Sequence, residues 1–476
     1  MSLLAPLRRA AIALLTAVLL TACAHAPQGA PRVQVWASSM DGARKLERQA
    51  DLVPGAESGS VLTLDPQQSD QTMVGFGAAM TDASAQLLQT ALKPAQRRAL
   101  YAELFGRQGL ALNFVRVPIG ASDFSTRHYS LDDVPAGQSD PELKHFSMAE
   151  PQRFQIPALQ AAKRINPGLV LMASPWSAPG WMKDSQSLIK GSLRREAYPA
   201  YAAYFRRYLT AMQRAGLPVR YVSVQNEPRF EPENYPGMKM TAAERAAFVA
   251  QALGPALAGS GTGILEWDHN WDHPEEPLAV LADPAARPFI AGVAWHCYGG
   301  DPAVMAQVRA AHPDKQVFFS ECSGGEWSPR WGEALGWKFD NLIIAPARAG
   351  SRGTVLWNLA LDPAHGPHLG GCGDCRGVVT IDPASGAVTR NLEYYVLGHA
   401  SRFVRPGAVR IASTGGEGQV VHAAFRNPDG SLVLLARNTG KAAAGLALSA
   451  QGRAWPLTMP AGEIMTLVWP APGRIQ

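Results

Sequence analysis

Between about residues 71 and 395, short apolar runs rich in β-branched residues alternate with longer stretches whose apolar positions recur every three or four residues. A run that is apolar on both faces suits a strand buried in a parallel sheet, and the three-to-four spacing suits a helix laid over it. The runs fall at 74–80, 113–118, 170–175, 220–225, 263–268, 289–296, 315–320 and 353–359. Helices are expected between them, for instance at 151–165 and 198–215, and Thr241-Ala242-Ala243-Glu244 has the spacing of a capping box that opens another. Eight βα units are the number that closes a (β/α)8 barrel.

After about residue 396 the pattern changes to alternating apolar and polar positions with turn signals such as Asn427-Pro428-Asp429-Gly430, which predicts antiparallel strands. Segment 34–70 also carries strand-like pieces. The expected architecture is therefore α/β: a catalytic barrel over 71–395 and a small C-terminal β-sandwich over 396–476, completed by N-terminal strands from 34–70.

The first residues belong to neither domain. Arg8 and Arg9 precede an apolar run from Ala10 to Leu20, the layout of a secretory signal and too short to cross a bilayer. The run ends in Leu20-Thr21-Ala22-Cys23, which resembles a bacterial lipobox. Residues 1–22 are expected to be removed, leaving Cys23 lipidated on a flexible tether over 23–33. The expectation is a lipoprotein of the bacterial cell envelope that meets the membrane through this anchor alone. With Arg8 and Arg9 set aside, 42 basic residues face 39 acidic ones, a balance that excludes a nucleic-acid partner. Of the five cysteines, Cys372 and Cys375 lie in a Gly-rich loop and read as a loop-closing disulfide, and a zinc site lacks a second ligand pair. Cys297 and Cys322 each fall near a strand end, and the sequence leaves their pairing open.

In a barrel of this kind, polar residues at the C-terminal ends of strands point into the catalytic face. The fourth run ends in Gln225-Asn226-Glu227-Pro228, and the seventh ends in Glu321. Two carboxylates from separate strands are the minimum equipment for glycoside hydrolysis: one protonates the departing oxygen, and the other attacks or directs water. A salt-bridged surface carboxylate explains either glutamate alone but not the pair on strands four and seven.

These residues resemble glycoside hydrolase family 30, the family of glucosylceramidases and endo-β-1,6-glucanases, over about residues 70–470. The resemblance rests on Gly75-Phe76-Gly77-Ala78-Ala79-Met80-Thr81-Asp82, Arg116-Val117-Pro118, Ser122-Asp123-Phe124-Ser125, Ser174-Pro175-Trp176-Ser177-Ala178-Pro179, Gln225-Asn226-Glu227-Pro228, His296-Cys297-Tyr298, Glu321 and Trp357-Asn358-Leu359, in that order. It implies a double displacement with Glu227 as acid/base and Glu321 as nucleophile. It also implies Asn226 on the sugar 2-hydroxyl, Tyr298 holding Glu321, and Asp123, Trp176 and Trp357 around the sugar. Arg116 and His296 are expected behind them as electrostatic supports, and the chemistry needs no metal or cofactor. Asp82 reads equally as structural or sugar-binding. The polar cluster Asp268, His269, Asn270, Asp272 and His273 reads as loop lining on the leaving-group side.

The expected function is thus retaining hydrolysis of a β-glucoside, glucosylceramidase-like, with endo-β-1,6-glucanase action as the alternative. The loop Gly371-Cys372-Gly373-Asp374-Cys375-Arg376-Gly377 looks more like the bacterial and β-1,6-glucanase members. A non-catalytic sugar-binding lipoprotein is the rival of a different class, and the presence of both carboxylates speaks against it.

Overall fold

The computed structural model describes residues 32–56, 59–416 and 418–471. The expected signal segment, Cys23 and most of the tether lie outside the described residues.

Eight parallel strands form the barrel: Gly75–Ala78, Phe114–Ile119, Val170–Pro175, Val219–Ser223, Gly263–Asn270, Ile290–His296, Gln316–Glu321 and Ser351–Leu356. Each lies within a few residues of its expected run. Helices fill the gaps, including Gln155–Ile165 and Tyr198–Arg214, whose buried positions face the strands. The capping box is present: Thr241 N–H donates to Glu244 Oε2 at 2.7 Å, and Glu244 N–H to Thr241 Oγ1 at 3.3 Å.

The barrel interior is built in layers because every second residue of a strand points inward. Phe114, Met172, Tyr221, Leu265, Ala294, Phe318 and Val355 make an apolar plug. Two residues further along four of these strands stand Arg116, Ser174, Ser223 and Ser320, all buried. The plug thus gives way to a polar layer directly beneath the catalytic face.

The seam between the first two strands is closed by scattered bonds rather than a ladder. Asn113 N–H donates to the Phe76 carbonyl at 3.0 Å, and Met80 N–H to the Arg116 carbonyl at 2.9 Å. Gly77 makes this approach possible, since a Cβ there would sit 1.9 Å from the Phe114 carbonyl oxygen.

Nine strands form the second domain, in the order Glu47–Leu52, Val33–Ser38, Ile464–Trp469, Leu432–Asn438, Val420–Arg426, Val409–Gly415, Ser60–Thr72, Ala444–Ala450 and Arg453–Met459. Three come from the N-terminal segment, as expected, and the two end strands touch. The fold-over encloses its own core around Trp455 and Trp469. The chain leaves the barrel through helix Leu392–Ser401, so the division expected near residue 395 falls inside a helix. His399 on that helix is buried and bonds Ser38 and Thr466 of the sandwich at 2.8 and 2.9 Å. Asp70 grips Arg309 of the barrel and Arg410 of the sandwich, and Arg437 reaches Asp340, so the two domains are fastened at several points.

Gly77→Ala is expected to cost more than about 3 kcal/mol in denaturant unfolding, because backbone rather than a movable side chain occupies the space. Gly445→Ala, where a Cβ meets nothing within 4 Å, serves as the reference and should stay within about 0.5 kcal/mol of the parent. Equal stabilities for the two variants would refute the seam argument.

Candidate active site

Glu227 and Glu321 meet over the polar layer at the C-terminal ends of the strands. One oxygen of each, together with a ring nitrogen of His296, lies within a 4.8 Å circle. Glu227 follows the fourth strand in the left-handed region, φ 47°, a conformation that costs a non-glycine residue about 1 kcal/mol. Two backbone bonds hold the turn: Asn226 N–H to the Pro175 carbonyl at 2.9 Å, and Glu227 N–H to the Asp268 carbonyl at 3.1 Å. Strain held this way by its neighbours is typical of working residues.

Beneath the pair, Arg116 is fully buried and spends its guanidinium on four partners. It donates to Glu321 Oε2, to Asn226 Oδ1 at 2.7 Å, to Asp268 Oδ2 at 2.7 Å and to Ser174 Oγ at 3.2 Å. Trp176 and Trp357 stack on each other at 5.0 Å, and Arg116 Cζ lies 4.8 and 5.6 Å from their ring centres, so the aromatic pair covers the cation. Tyr298 donates its hydroxyl to Glu321 Oε1 at 3.1 Å. His296 bridges downward and upward, with Nε2 3.1 Å from Asp268 Oδ1 and Nδ1 3.1 Å from Glu227 Oε1.

Asp268 is the largest departure from the sequence reading. It is not loop lining: it is fully buried in the polar layer and accepts from Arg116, His296, Ser174 at 2.6 Å and Ser320 at 2.7 Å. Simple alternation would turn it outward with Glu266, which pairs with Arg245 beneath the helices. A bulge intervenes. Trp267 and Asp268 both have positive φ, 72° and 54°, and the register with the sixth strand shifts between Trp267 and His269. The extra residue sends Trp267 outward over Arg245 and Asp268 inward. Among the rest of that cluster, His269 and Asn270 line the site, whereas Asp272 and His273 stand outside it and are more exposed.

Charge follows from this packing. Burial pushes His296 down, but the carboxylates of Glu321, Asp268 and Glu227 outweigh it and raise the imidazole to about 9, so it is a cation at neutral pH. Asp268 is held well below the ordinary carboxylate range, as Arg116 and His296 overcome its burial. Burial also acts on both glutamates. For Glu227 the hydrogen bond from His296 wins and the group falls below its ordinary value, whereas for Glu321 burial wins and the group rises. They titrate as a pair. With Arg116 and His296 positive and Asp268 negative, the cluster is neutral when the pair holds one proton. Glu227, His296 and Glu321 also have the spacing of a metal cluster, but both His296 nitrogens already face carboxylates as donors, which leaves none to ligate an ion.

A cavity of about 610 Å³ opens above these groups. Asp123 lines it with Oδ1 free of any partner among the described residues, and burial together with the charges of Glu321 and Glu227 raises its carboxyl to about 8. Asp82 takes no part in this lining: it accepts from Ser125 and Tyr129 at 2.7 and 2.9 Å. Phe230 and Trp327, which sequence reasoning did not single out, form an aromatic rim, 47% and 55% exposed. Both disulfides border the site, Cys297–Cys322 and Cys372–Cys375. A larger cavity of about 840 Å³ lies at the opposite end of the barrel, but among the described residues no carboxylate lines it.

Comparison with known proteins agrees with this geometry. The family model described as the glycosyl hydrolase family 30 TIM-barrel domain matches residues 73–404, and that of the family's β-sandwich domain matches residues 407–467. An endo-1,6-β-D-glucanase of Neurospora crassa is 34% identical, covering 92% of this chain and 95% of its own. The lysosomal acid glucosylceramidase of Mus musculus is 31% identical, covering 90% and 87%. Among solved structures, the endo-β1,6-glucanase BT3312 superposes with a TM-score of 0.85 at 30% identity, over 92% of this chain and 99% of that one.

Because the folded-state value of His296 lies above its ordinary 6.5, its charge stabilises the fold fully below about 6.5 and loses that contribution as pH rises through about 9. The stability gap between the parent and His296→Asn, measured by urea unfolding, should therefore be widest at or below about pH 6.5, shrink between about pH 6.5 and 9, and be lost above that. A gap independent of pH would mean that the imidazolium is not what stabilises the layer.

Proposed function

The chain belongs to glycoside hydrolase family 30 and is a retaining glycosidase, and from that premise we propose that it cleaves β-1,6-linked glucan, with Glu227 as acid/base and Glu321 as nucleophile. The observation that carries the mechanism is the closeness of the two carboxylates, with an oxygen of each inside 4.8 Å. A retaining pair stands about 5–5.5 Å apart, whereas an inverting pair needs roughly 6.5–9.5 Å to admit a water.

Glu321 attacks the anomeric carbon, and Glu227 gives its proton to the departing oxygen. A covalent glycosyl ester results, and Glu227, now a base, activates the water that hydrolyses it. The hydrogen bonds divide these roles. Arg116 and Tyr298 both donate to Glu321 and favour its ionised form, while Glu227 is the more open of the two, its side chain 15% exposed against 7%. In the free site Glu321 binds a proton more readily than its ordinary value implies, and Glu227 less readily. An uncharged sugar seated against Glu227 removes its remaining solvent and raises it, which draws the proton to where acid catalysis needs it. With Asn226 Oδ1 engaged by Arg116, its amide N–H₂ is the group left for the sugar 2-hydroxyl. Asp123 Oδ1 and the Trp176–Trp357 stack are placed to receive the outer hydroxyls and a ring face.

The β-1,6-glucan reading is supported by the Neurospora crassa and BT3312 likenesses and by the aromatic rim of Phe230 and Trp327, which offers stacking faces to a further sugar. The Mus musculus likeness supports glucosylceramide as the second reading, since the same rim can pack a lipid chain. For location we propose the bacterial envelope with a lipid anchor at Cys23, a reading that the sequence pattern of residues 1–23 alone supports.

Glu227→Gln and Glu321→Gln should each lose about 10²–10⁴-fold or more in kcat while still binding substrate. Azide is expected to restore turnover to alanine variants at either position, giving a β-glycosyl azide for Glu227 and an α-glycosyl azide for Glu321. Exchanged anomers would reverse the roles. Product analysis on β-1,6-glucan and on glucosylceramide side by side decides the substrate: oligosaccharides from the first support the proposal, and glucose with ceramide from the second alone overturns it.

A further inference from the structure

The ladder between the sixth and seventh barrel strands fails where the chemistry begins. Its last pair is His296 with Glu321, and the register has already shifted between Phe319 and Glu321. The next residue on each strand is a cysteine, and Cys297 and Cys322 are joined by a disulfide with Cα atoms 5.4 Å apart. Each half is flanked by working residues: His296 and Tyr298 on one side, Glu321 and Ser323 on the other. Across the link, the Tyr298 hydroxyl reaches Glu321 Oε1 at 3.1 Å and Ser323 Oγ at 3.2 Å. Cys322 is also tied to the eighth strand, its carbonyl accepting from Trp357 N–H at 2.9 Å.

Tyr298 is a residue that needs holding. It lies past its strand and is 47% exposed, although its hydroxyl must stay on a buried carboxylate. Its own N–H donates to Asn270 Oδ1 at 3.2 Å, a side chain on a third strand. A hydrogen bond at 3.1 Å is lost by a shift of well under 1 Å, and displacements of that size cost catalysis up to about a hundredfold.

We propose that the Cys297–Cys322 disulfide is a positioning element for the nucleophile: it replaces the missing ladder and keeps the Tyr298 hydroxyl on Glu321. This rests on Glu321 being the nucleophile. The Cys372–Cys375 bridge spans a sequence separation of 3 within one loop and joins no catalytic strands.

Two routes open the link. One is the double substitution Cys297→Ala/Cys322→Ala. The other is dithiothreitol acting on folded protein, in which both half-cystines become thiols while the dithiol closes to its own disulfide. A Cys372→Ser/Cys375→Ser background ensures that only the strand-end bridge responds, each sample being compared with its unreduced form. On β-1,6-glucan, kcat should fall about 10- to 100-fold by either route, with KM changed less than about threefold. Reoxidation should restore the rate of the reduced protein. In a Tyr298→Phe background the same opening should cost almost nothing further, since the group being positioned is gone.

An unchanged kcat on opening, or a loss that persists in full in the Tyr298→Phe background, overturns the proposal. If Glu321→Gln still turns over, the assignment of the nucleophile has failed instead. Far-UV circular dichroism and the unfolding midpoint of each variant separate either result from simple unfolding.

Discussion

The catalytic face depends on one buried carboxylate. Arg116 and His296 are both cations deep in the barrel, and burying such charges without a counter-charge costs several kcal/mol each. Asp268 faces both at once, and two serines complete its shell of donors. What remains of the two positive charges is directed upward, Arg116 to Glu321 and His296 to Glu227. The electrostatics of the pair are therefore set one layer below it, by a residue whose carboxylate bonds neither glutamate carboxylate.

That layer exists because strand periodicity stacks residues in storeys. Large apolar side chains fill the lower storey, and small serines occupy the next, leaving room for the long Arg116 side chain to cross the barrel and collect four acceptors. The site is then capped by Trp176 and Trp357, which shield the guanidinium while presenting aromatic surface to the cavity. The sandwich takes no part in this chemistry. It is fastened to the far side of the barrel through Asp70, Asp340 and His399, so the three N-terminal strands fold with a domain that the chain completes only at its other end.

The site divides into a buried part and an exposed part. Around the glutamates the groups are buried, mutually bonded and fit for a generic β-linked sugar. At the mouth, Phe230 and Trp327 are exposed, and the Trp327 loop is joined to the Cys372–Cys375 loop through a two-residue strand pairing, Gly324–Gly325 against Cys375–Arg376.

Much was legible in the chain itself. Hydrophobic periodicity located all eight barrel strands and the main helices, because strand and helix periods follow from local backbone geometry. Glu227 and Glu321 stood out because a carboxylate at the end of an apolar run is costly unless used. Asp268 did not stand out: its inward aim comes from a bulge at Trp267 and Asp268, which reverses the alternation on which the sequence reading relied. Phe230 and Trp327 lie in irregular loops with no period to read, and the pairing of Cys297 with Cys322 required two strands to be brought side by side. The sequence by itself determined the elements, their order and the two carboxylates proposed to react, since each is written in local pattern. Only the tertiary structure decided which charges neutralise one another and which of the two carboxyls holds a proton more readily, because those depend on distances between residues far apart in the chain.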